Sequence, residues 1–234
     1  VYVFVLDGLD GDQYDKGRLP FVKKLVDRRG TYYRESRAIM VAETNPNHTA
    51  MITGAYADTS GIPANDFNLY GNGAGSFEGC PLEAKGSGPT RAAVAADCVK
   101  AQTVFQSTAV PGIREKVTTA GIFGKPKLAK LYSAKRSKKK YAADYLWTPC
   151  TSFKPDYCRK AKLNDLGYAH DSATMDAVLA SVRKGVKTEN GKRKKADFTW
   201  VNFPTLDTTG HLYGVGKKYK KAVASADGLI KSFV

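Results

Sequence analysis

No stretch of this sequence approaches the roughly 18 consecutive apolar residues that cross a bilayer, so no transmembrane segment is expected. The first residues carry neither the charged segment nor the small-residue cleavage site of a signal peptide. The chain starts without Met on the apolar run Val1 to Leu6, and the expectation is that any leader has been removed or left out. No internal repeat is present, which argues against a solenoid. The four cysteines, Cys80, Cys98, Cys150 and Cys158, include no C-x-x-C pair, against a zinc ribbon or a thioredoxin-like site. Acidic residues are scarce, 22 against 37 Lys and Arg, for a net charge of +15. The excess is clustered, yet no aromatic-interleaved motif or groove-reading helix accompanies it, so sequence-reading of nucleic acid is the weaker use of that charge.

The clusters are two. Residues 125–140 hold Lys125, Lys127, Lys130, Lys135, Arg136, Lys138, Lys139 and Lys140 without an acid, and 183–195 hold seven more basic residues against one Glu. Such runs read as solvated faces or loops; the functional alternative is a positive field that draws in phosphate esters or binds an anionic polymer. An even set of cysteines in Gly- and Pro-containing sequence reads as two local disulfides, Cys80 with Cys98 and Cys150 with Cys158, and hence as a secreted, extracellular or periplasmic protein. The alternative is four reduced thiols in a cytosolic one.

Hydrophobic patterning gives an α/β chain, long enough for one sizeable core. Residues 1–6 read as a buried strand, and Leu19 to Val26 as a helix stopped by Gly30. Thr31 to Val41 reads as a second strand, followed by a short helix from Thr44 to Thr53 and then Gly54. The Gly/Asn/Ser-rich stretch after Asp66 predicts a long loop, with insertions at about 66–100 and 135–165. Gly121 to Gly124 reads as a short strand and Lys135 to Lys162 as loop. Asp171 to Val186 predicts a helix, Asp197 to Phe203 a strand, and Lys217 to Val234 an amphipathic helix.

Polar groups just past the strands carry the chemistry, where α/β proteins place their sites. Asp7 follows six apolar residues and precedes Gly8; it is either a metal ligand at the sheet's rim or the cap of a turn. In Glu43-Thr44-Asn45-Pro46-Asn47-His48-Thr49, Thr44 suits an N-cap with Pro46 in the first turn. The same N-terminus also offers N–H groups and a positive dipole end to an anion. In Asp207-Thr208-Thr209-Gly210-His211, carboxylate and imidazole four apart converge on one helical turn, which suits zinc.

Together these residues resemble the nucleotide pyrophosphatase/phosphodiesterases of the alkaline-phosphatase superfamily. The resemblance runs through Asp7-Gly8, Leu19-Pro20, T-N-P-N-H with Thr53-Gly54, Gly61-Ile62-Pro63-Ala64-Asn65, Gly124-Lys125-Pro126-Lys127 and L-D-T-T-G-H-L-Y-G, with Asp227 in the last helix. It implies a three-layer α/β/α sandwich and hydrolysis of phosphodiester or pyrophosphate bonds in nucleotide-type substrates through a phosphothreonine. It further implies Thr44 as nucleophile, Asn65 as donor to the phosphoryl oxygen, and two zincs, one on Asp7 and Thr44, the other on Asp207 and His211. A sulfatase motif, C-x-P-x-R or S-x-P-x-R, is absent, and Thr rather than Ser points away from typical phosphomonoesterases. Phosphonate hydrolases share the threonine and remain a competitor, as does a non-catalytic cationic binding protein on the same scaffold. The family's remaining ligands, an Asp-His pair and a further His, have no counterpart here. His48 reads as a buttress of its helix and His170 as a cap. Residues 1–234 are therefore expected to be the N-terminal portion of one catalytic domain, completed by a second polypeptide segment produced by cleavage after Val234, or a truncated product.

Overall fold

Tyr2–Leu6 offers water no polar face, which suits a strand in a parallel sheet covered on both sides. A computed structural model, describing residues 1–65, 68–70, 77–79, 98–113, 115–133, 142–152, 154–188 and 190–234, places it as β1 (Tyr2–Leu6). Short helices α1 (Asp12–Asp15) and α2 (Pro20–Arg29) follow, then α3 (Thr44–Thr53), α4 (Ala57–Ser60) and the hairpin of β2 (Asn68–Tyr70) with β3 (Phe77–Gly79). Next come α5 (Val104–Thr108), β4 (Thr119–Phe123), α6 (Pro126–Leu131), β5 (Tyr145–Pro149) and β6 (Cys158–Arg159). The chain continues through α7 (Asp171–Lys184), the hairpin of β7 (Val186–Lys187) and β8 (Arg193–Lys194), β9 (Phe198–Phe203), α8 (Thr205–Tyr213) and α9 (Lys217–Phe233).

Five strands form one parallel sheet in the order β1-β9-β4-β5-β6. Parallel neighbours require crossovers, and helices supply them on both faces, giving the expected sandwich. Alternation along the strands sorts the core. Phe123 and Trp200 face a cluster with Ile52, Phe105 and Leu128, while Ile122 and Val201 face Met175, Val178 and Phe203 on the other side. The central strands β4 and β9 are buried almost throughout, whereas β1 lies at an edge and none of its five residues is fully buried.

A third cluster, Leu19, Leu206, Tyr219, Val223 and Ala226, packs α2 against α8 and α9. Its polar anchor is Asp227, whose carboxylate accepts from the N–H groups of Phe21 and Val22 at 3.0 and 2.9 Å. Leu19 at the N-cap of α2 has no side chain to offer, so a residue of α9 caps that helix instead. Cys150 and Cys158 form a disulfide that ties the end of β5 to β6. Cys98 is also disulfide-bonded, and the partner assigned to it from sequence, Cys80, lies outside the described residues.

Two sequence readings of local structure are corrected. Residues 31–41 form no strand; most are exposed, and their β-prone residues have no sheet neighbour to pair with. Within the stretch read as loop from Lys135 to Lys162, Tyr145–Pro149 is a sheet strand, paired with β4 from Ala120↔Tyr145 to Ile122↔Trp147. Its five residues were overshadowed by the basic run before them and by Pro149, which sits at the strand's end. The insertion at about 66–100 falls mostly outside the described residues.

Candidate active site

Because β1, β4 and β9 run parallel, the residues that follow them emerge at one rim of the sheet. Asp7 extends the ladder, its N–H donating to Phe203 O at 3.1 Å, and its own carbonyl accepts from Asp207 N–H at 2.9 Å. That exchange sets two carboxylates side by side. It is possible only because Gly8 intervenes: with φ +74°, a Cβ there would stand 2.6 Å from Asp207 Cα.

Lys125, one residue beyond Gly124 at the end of β4, fills the space between them. Its backbone N–H donates to Asn202 Oδ1 at 3.2 Å, and its side chain is 1% exposed. Nζ lies 2.7 Å from Asp7 Oδ2 and 2.7 Å from Asp207 Oδ2, and donates to Thr44 Oγ1 at 2.9 Å. Thr44 is the first residue of α3, with Glu43 rather than Thr44 at the N-cap; the hydroxyl is thereby released from capping and turned to the carboxylates. Burial works against the Lys125 charge, but Asp7 and Asp207 outweigh it and hold the ammonium above its ordinary pKa. Burial likewise raises the Asp7 carboxyl. His48 (charged only at low pH), Lys125 and hydrogen bonds from Lys125 and Asn202 reverse the balance and bring it below the usual carboxylate value.

Behind this cluster, His48 Nδ1 donates to Thr44 O at 2.9 Å, and Asn202 Nδ2 donates to His48 Nε2 at 3.0 Å. A carbonyl can only accept, so the ring carries its proton on Nδ1 and is neutral. Burial, acting against Asp7 and the Thr44 carbonyl, holds its pKa below the ordinary value. The ring thus braces the first turn of α3 against β9. Asn202 Nδ2 also donates to Asp7 Oδ2 at 3.3 Å, so one amide registers Asp7, His48 and Lys125 together.

Asn65 reaches α3 from the other side. Its Oδ1 accepts from Asn45 N–H at 2.9 Å, and its own N–H donates to Glu43 Oε2. With the carbonyl end engaged, the amide nitrogen makes no hydrogen bond among the described residues, and Asn65 lines the cleft. Asn47 pins the segment before α3 through Ile39 N–H, Val41 O and Glu43 O. The resulting cleft, about 560 Å³, is lined by Asp7, Thr44, Asp207 and His211 together with apolar residues such as Ile39 and Met51. His211 stands on α8 with Nε2 at 3.4 Å from Asp207 Oδ1 and its side chain largely exposed.

For a divalent cation, the donors present fit in kind. Two carboxylates and a hydroxyl already converge on a single positive charge, with an imidazole at the mouth, a set suited to zinc. In number they are few: among the described residues no cluster of three or more His, Cys, Asp or Glu is close enough to hold a metal.

One further carboxyl supports the site from behind. Asp171 Oδ1 accepts from Thr205 N–H at 3.0 Å, and Asp171 N–H donates to Thr205 Oγ1 at 3.3 Å, joining the N-terminus of α7 to that of α8. Burial pushes this carboxyl up to about 6, against the Thr205 hydrogen bonds. An unfolded Asp titrates near ~3.9, so between about pH 4 and about pH 6 the folded form keeps a proton that the unfolded form has lost. Stability is fullest below that window and falls as pH rises through it. Asp171→Asn retains an acceptor and does not titrate. Its unfolding free energy relative to wild type should rise by about 2 kcal/mol between pH 4 and pH 6, read from urea denaturation at stepped pH; a pH-independent difference would contradict this assignment. His170 serves as the N-cap residue of α7, where sequence placed a cap.

Asp7, Thr44, Asp207 and His211 therefore meet at one rim with Asn65 beside them. Sequence reading gave no role to Asn202, and it quoted Lys125 in a basic run and in the Gly124-Lys125-Pro126-Lys127 motif without placing it in the site. Asn202 did leave a trace, as the one amide in the apolar strand Phe198–Phe203. Lys125 lies two residues past the end of β4 where Asp7 lies one past the end of β1, and the strand-end rule applied to Asp7 would have found it if extended by one residue. Of the first basic run, residues 134–140 lie outside the described residues. The second run is a solvated face: Arg183, Lys184, Lys187, Lys192, Arg193 and Lys194 are exposed on the end of α7 and the β7–β8 hairpin.

The whole chain, residues 1–234, matches the family described as type I phosphodiesterase / nucleotide pyrophosphatase. Among solved structures, murine ectonucleotide pyrophosphatase/phosphodiesterase 5, in an inactive form with AMP, aligns with TM-score 0.62 and 15% identity over 99% of this chain and 50% of that one. Phosphonoacetate hydrolase from Sinorhizobium meliloti, with phosphonoacetate, aligns with TM-score 0.55 and 17% identity over 97% of this chain and 53% of that one. The chain thus spans about half the length of the solved structures it matches. A search of curated proteins gave no match.

Proposed function

This chain belongs to the type I phosphodiesterase / nucleotide pyrophosphatase family, and on that premise we propose that it carries the nucleophile half of a metal-dependent hydrolase of phosphodiester or pyrophosphate bonds in nucleotide-type substrates. The observation that carries this reading is the Thr44 hydroxyl, at the first turn of α3 and joined through one ammonium to two carboxylates. A helix N-terminus contributes only about 0.3–1 kcal/mol to holding an anion, far short of what ionising a threonine requires. Bound divalent cations, zinc in this reading, supply the missing Lewis acidity and stabilise charge on the entering and leaving oxygens. Asp7 and Thr44 would hold one, and Asp207 and His211 the other.

Within that frame the residues divide the work. Thr44 Oγ1 gives its proton to water and forms the bond to phosphorus as the bond to the leaving oxygen breaks, the leaving oxygen taking a proton from water; the resulting phosphothreonine is hydrolysed by a second water, which restores the hydroxyl. Asn65, its carbonyl tied to α3, donates its amide N–H to a phosphoryl oxygen. His48 and Asn202 hold the helix start in place and take no proton in the reaction. The apolar wall with Ile39 and Met51 accommodates the organic part of the substrate.

The remaining ligands would come from further sheet segments along the open edge of β1, so that residues 1–234 form the N-terminal portion of a single domain. The Cys150–Cys158 disulfide, with no helix among the described residues able to cross a membrane, accords with export. A second reading, phosphonate hydrolysis, draws on the likeness to phosphonoacetate hydrolase. A third, cationic binding without catalysis, draws on the exposed charges of the β7–β8 hairpin, which an anionic polymer would neutralise with a steep salt dependence. The test is the full-length protein, with zinc content measured alongside rates on bis-p-nitrophenyl phosphate, p-nitrophenyl phosphate and phosphonoacetate. The expected result is about two zincs per chain and a diester kcat/KM at least about tenfold above the others. Fastest turnover of phosphonoacetate would favour the second reading, and absence of both zinc and turnover the third.

A further inference from the structure

Asp7, Asp207 and Thr44 aim their oxygens at one point, and a side chain of this same protein occupies it. An ammonium has three N–H bonds, and Lys125 Nζ finds one acceptor for each: Asp7 Oδ2 at 2.7 Å, Asp207 Oδ2 at 2.7 Å and Thr44 Oγ1 at 2.9 Å. Its backbone is fixed by the bond to Asn202 and by Pro126 at the start of α6, so a four-carbon stem delivers the charge to a set position. All three oxygens belong to residues that the proposed function gives to divalent cations, and the inference rests on that reading. Zinc takes oxygen ligands at about 2.0–2.2 Å, which leaves no room for an ammonium on the same atoms, and like charges so close repel strongly in a buried site.

We propose that Lys125 is a built-in counter-cation: its ammonium and a divalent metal exclude one another from the oxygens of Asp7, Asp207 and Thr44, so metal loading requires the side chain to swing out. The protein then folds around a neutralised pair of carboxylates before any metal is present. In that position the ammonium also lies 5.2 Å from the centroid of the Tyr168 ring, a further attraction that metal binding has to overcome. A lysine serving only as structural mortar would behave differently, since removing it would loosen the site and weaken metal binding.

The experiment measures zinc affinity of metal-stripped, full-length protein by competition with a chromophoric chelator, for wild type, Lys125→Met and Lys125→Arg. Met keeps the stem and removes the competitor, so it should bind zinc at least about tenfold tighter. Arg grips carboxylates with a planar fork and should bind it several-fold more weakly than wild type. The metal-free Met variant should also melt below metal-free wild type, with the gap closing once zinc is added. Equal or weaker zinc binding by Lys125→Met overturns the proposal; if that variant does not fold, unchanged or tighter binding by Lys125→Arg overturns it. A wild type that binds zinc with an affinity indifferent to these substitutions removes this inference alone. Failure of wild type and the Met variant alike to bind zinc removes the metal reading and the inference with it.

Discussion

Replacing Thr44 by alanine in the full-length protein should lower turnover of bis-p-nitrophenyl phosphate by at least about a thousandfold, as expected when a nucleophile is deleted. The fold should be left intact. The hydroxyl makes one hydrogen bond, from Lys125, and the N-cap position belongs to Glu43, so neither helix start nor core depends on it. Circular dichroism should therefore match wild type, and the melting temperature should fall only by a few degrees, because one N–H of the buried Lys125 ammonium loses its acceptor. Thr44→Ser restores an oxygen at the same place and should recover activity to within about a hundredfold. Alanine turnover near the wild-type rate would remove Thr44 from the nucleophile role. Equal loss in both variants would point to the methyl group's packing instead of the oxygen.

The second large effect is expected from a residue with no functional group. Gly8→Ala places a methyl 2.6 Å from Asp207 Cα and 2.9 Å from its backbone nitrogen, at a φ of +74° that L-residues disfavour. The conformational cost alone is about 1–2 kcal/mol. Since the obstacle is backbone, the clash cannot be relieved by rotating a side chain. Total destabilisation should reach about 3 kcal/mol or more. Gly17 provides the control: it too has a positive φ, +67°, with nothing within 4 Å of a built Cβ, so Gly17→Ala should incur only the conformational part. Denaturant unfolding of both variants isolates the clash by difference. Any displacement of Asp207 should also depress turnover, because about 1 Å of misplacement is worth about a hundredfold. Equal stability of the two variants would mean that Asp7 and Asp207 are not held together in the way described.

Much of this site was visible in sequence because of a simple contrast. Asp7 ends an apolar strand, Thr44 starts a short helix bounded by Gly54, and Asp207 and His211 follow another apolar strand at helical spacing. Each sits where hydrophobic patterning breaks, so local rules reach it. The failures share a different cause. Thr31 to Val41 has strand-prone residues, yet a strand exists only with a neighbour, and none adjoins this segment. Tyr145–Pro149 has such a neighbour in β4, some 25 residues earlier, as the bond from Thr119 N–H to Asp144 also records. Lys125 was counted in a basic run and quoted in the Gly124-Lys125-Pro126-Lys127 motif but given no role, because its environment is set by Asp7 and Asp207, distant in sequence on either side. Asn202 is meaningful only through His48 and Asp7. Pairing partners at long range are what one-dimensional patterning omits.

That same reach through the chain governs the order in which the protein can be assembled. β1 is made long before its partner β9, which begins at Phe198, and Asn202 meets Asp7 across a separation of 195 residues. Until then the apolar strand Tyr2–Leu6 has no native edge to join. Local units such as α2 and the β7–β8 hairpin can form early, whereas the β1–β9 ladder must close a loop as long as that separation, a slow event by topology alone. The nascent chain therefore carries an apolar strand without its partner until β9 has been made, and Asp7 reaches Asp207 only after that. Yield from cells should depend on chaperones that shield this strand, and the rim shared by Asp7 and Asp207 should become ordered only after β9 has joined the sheet.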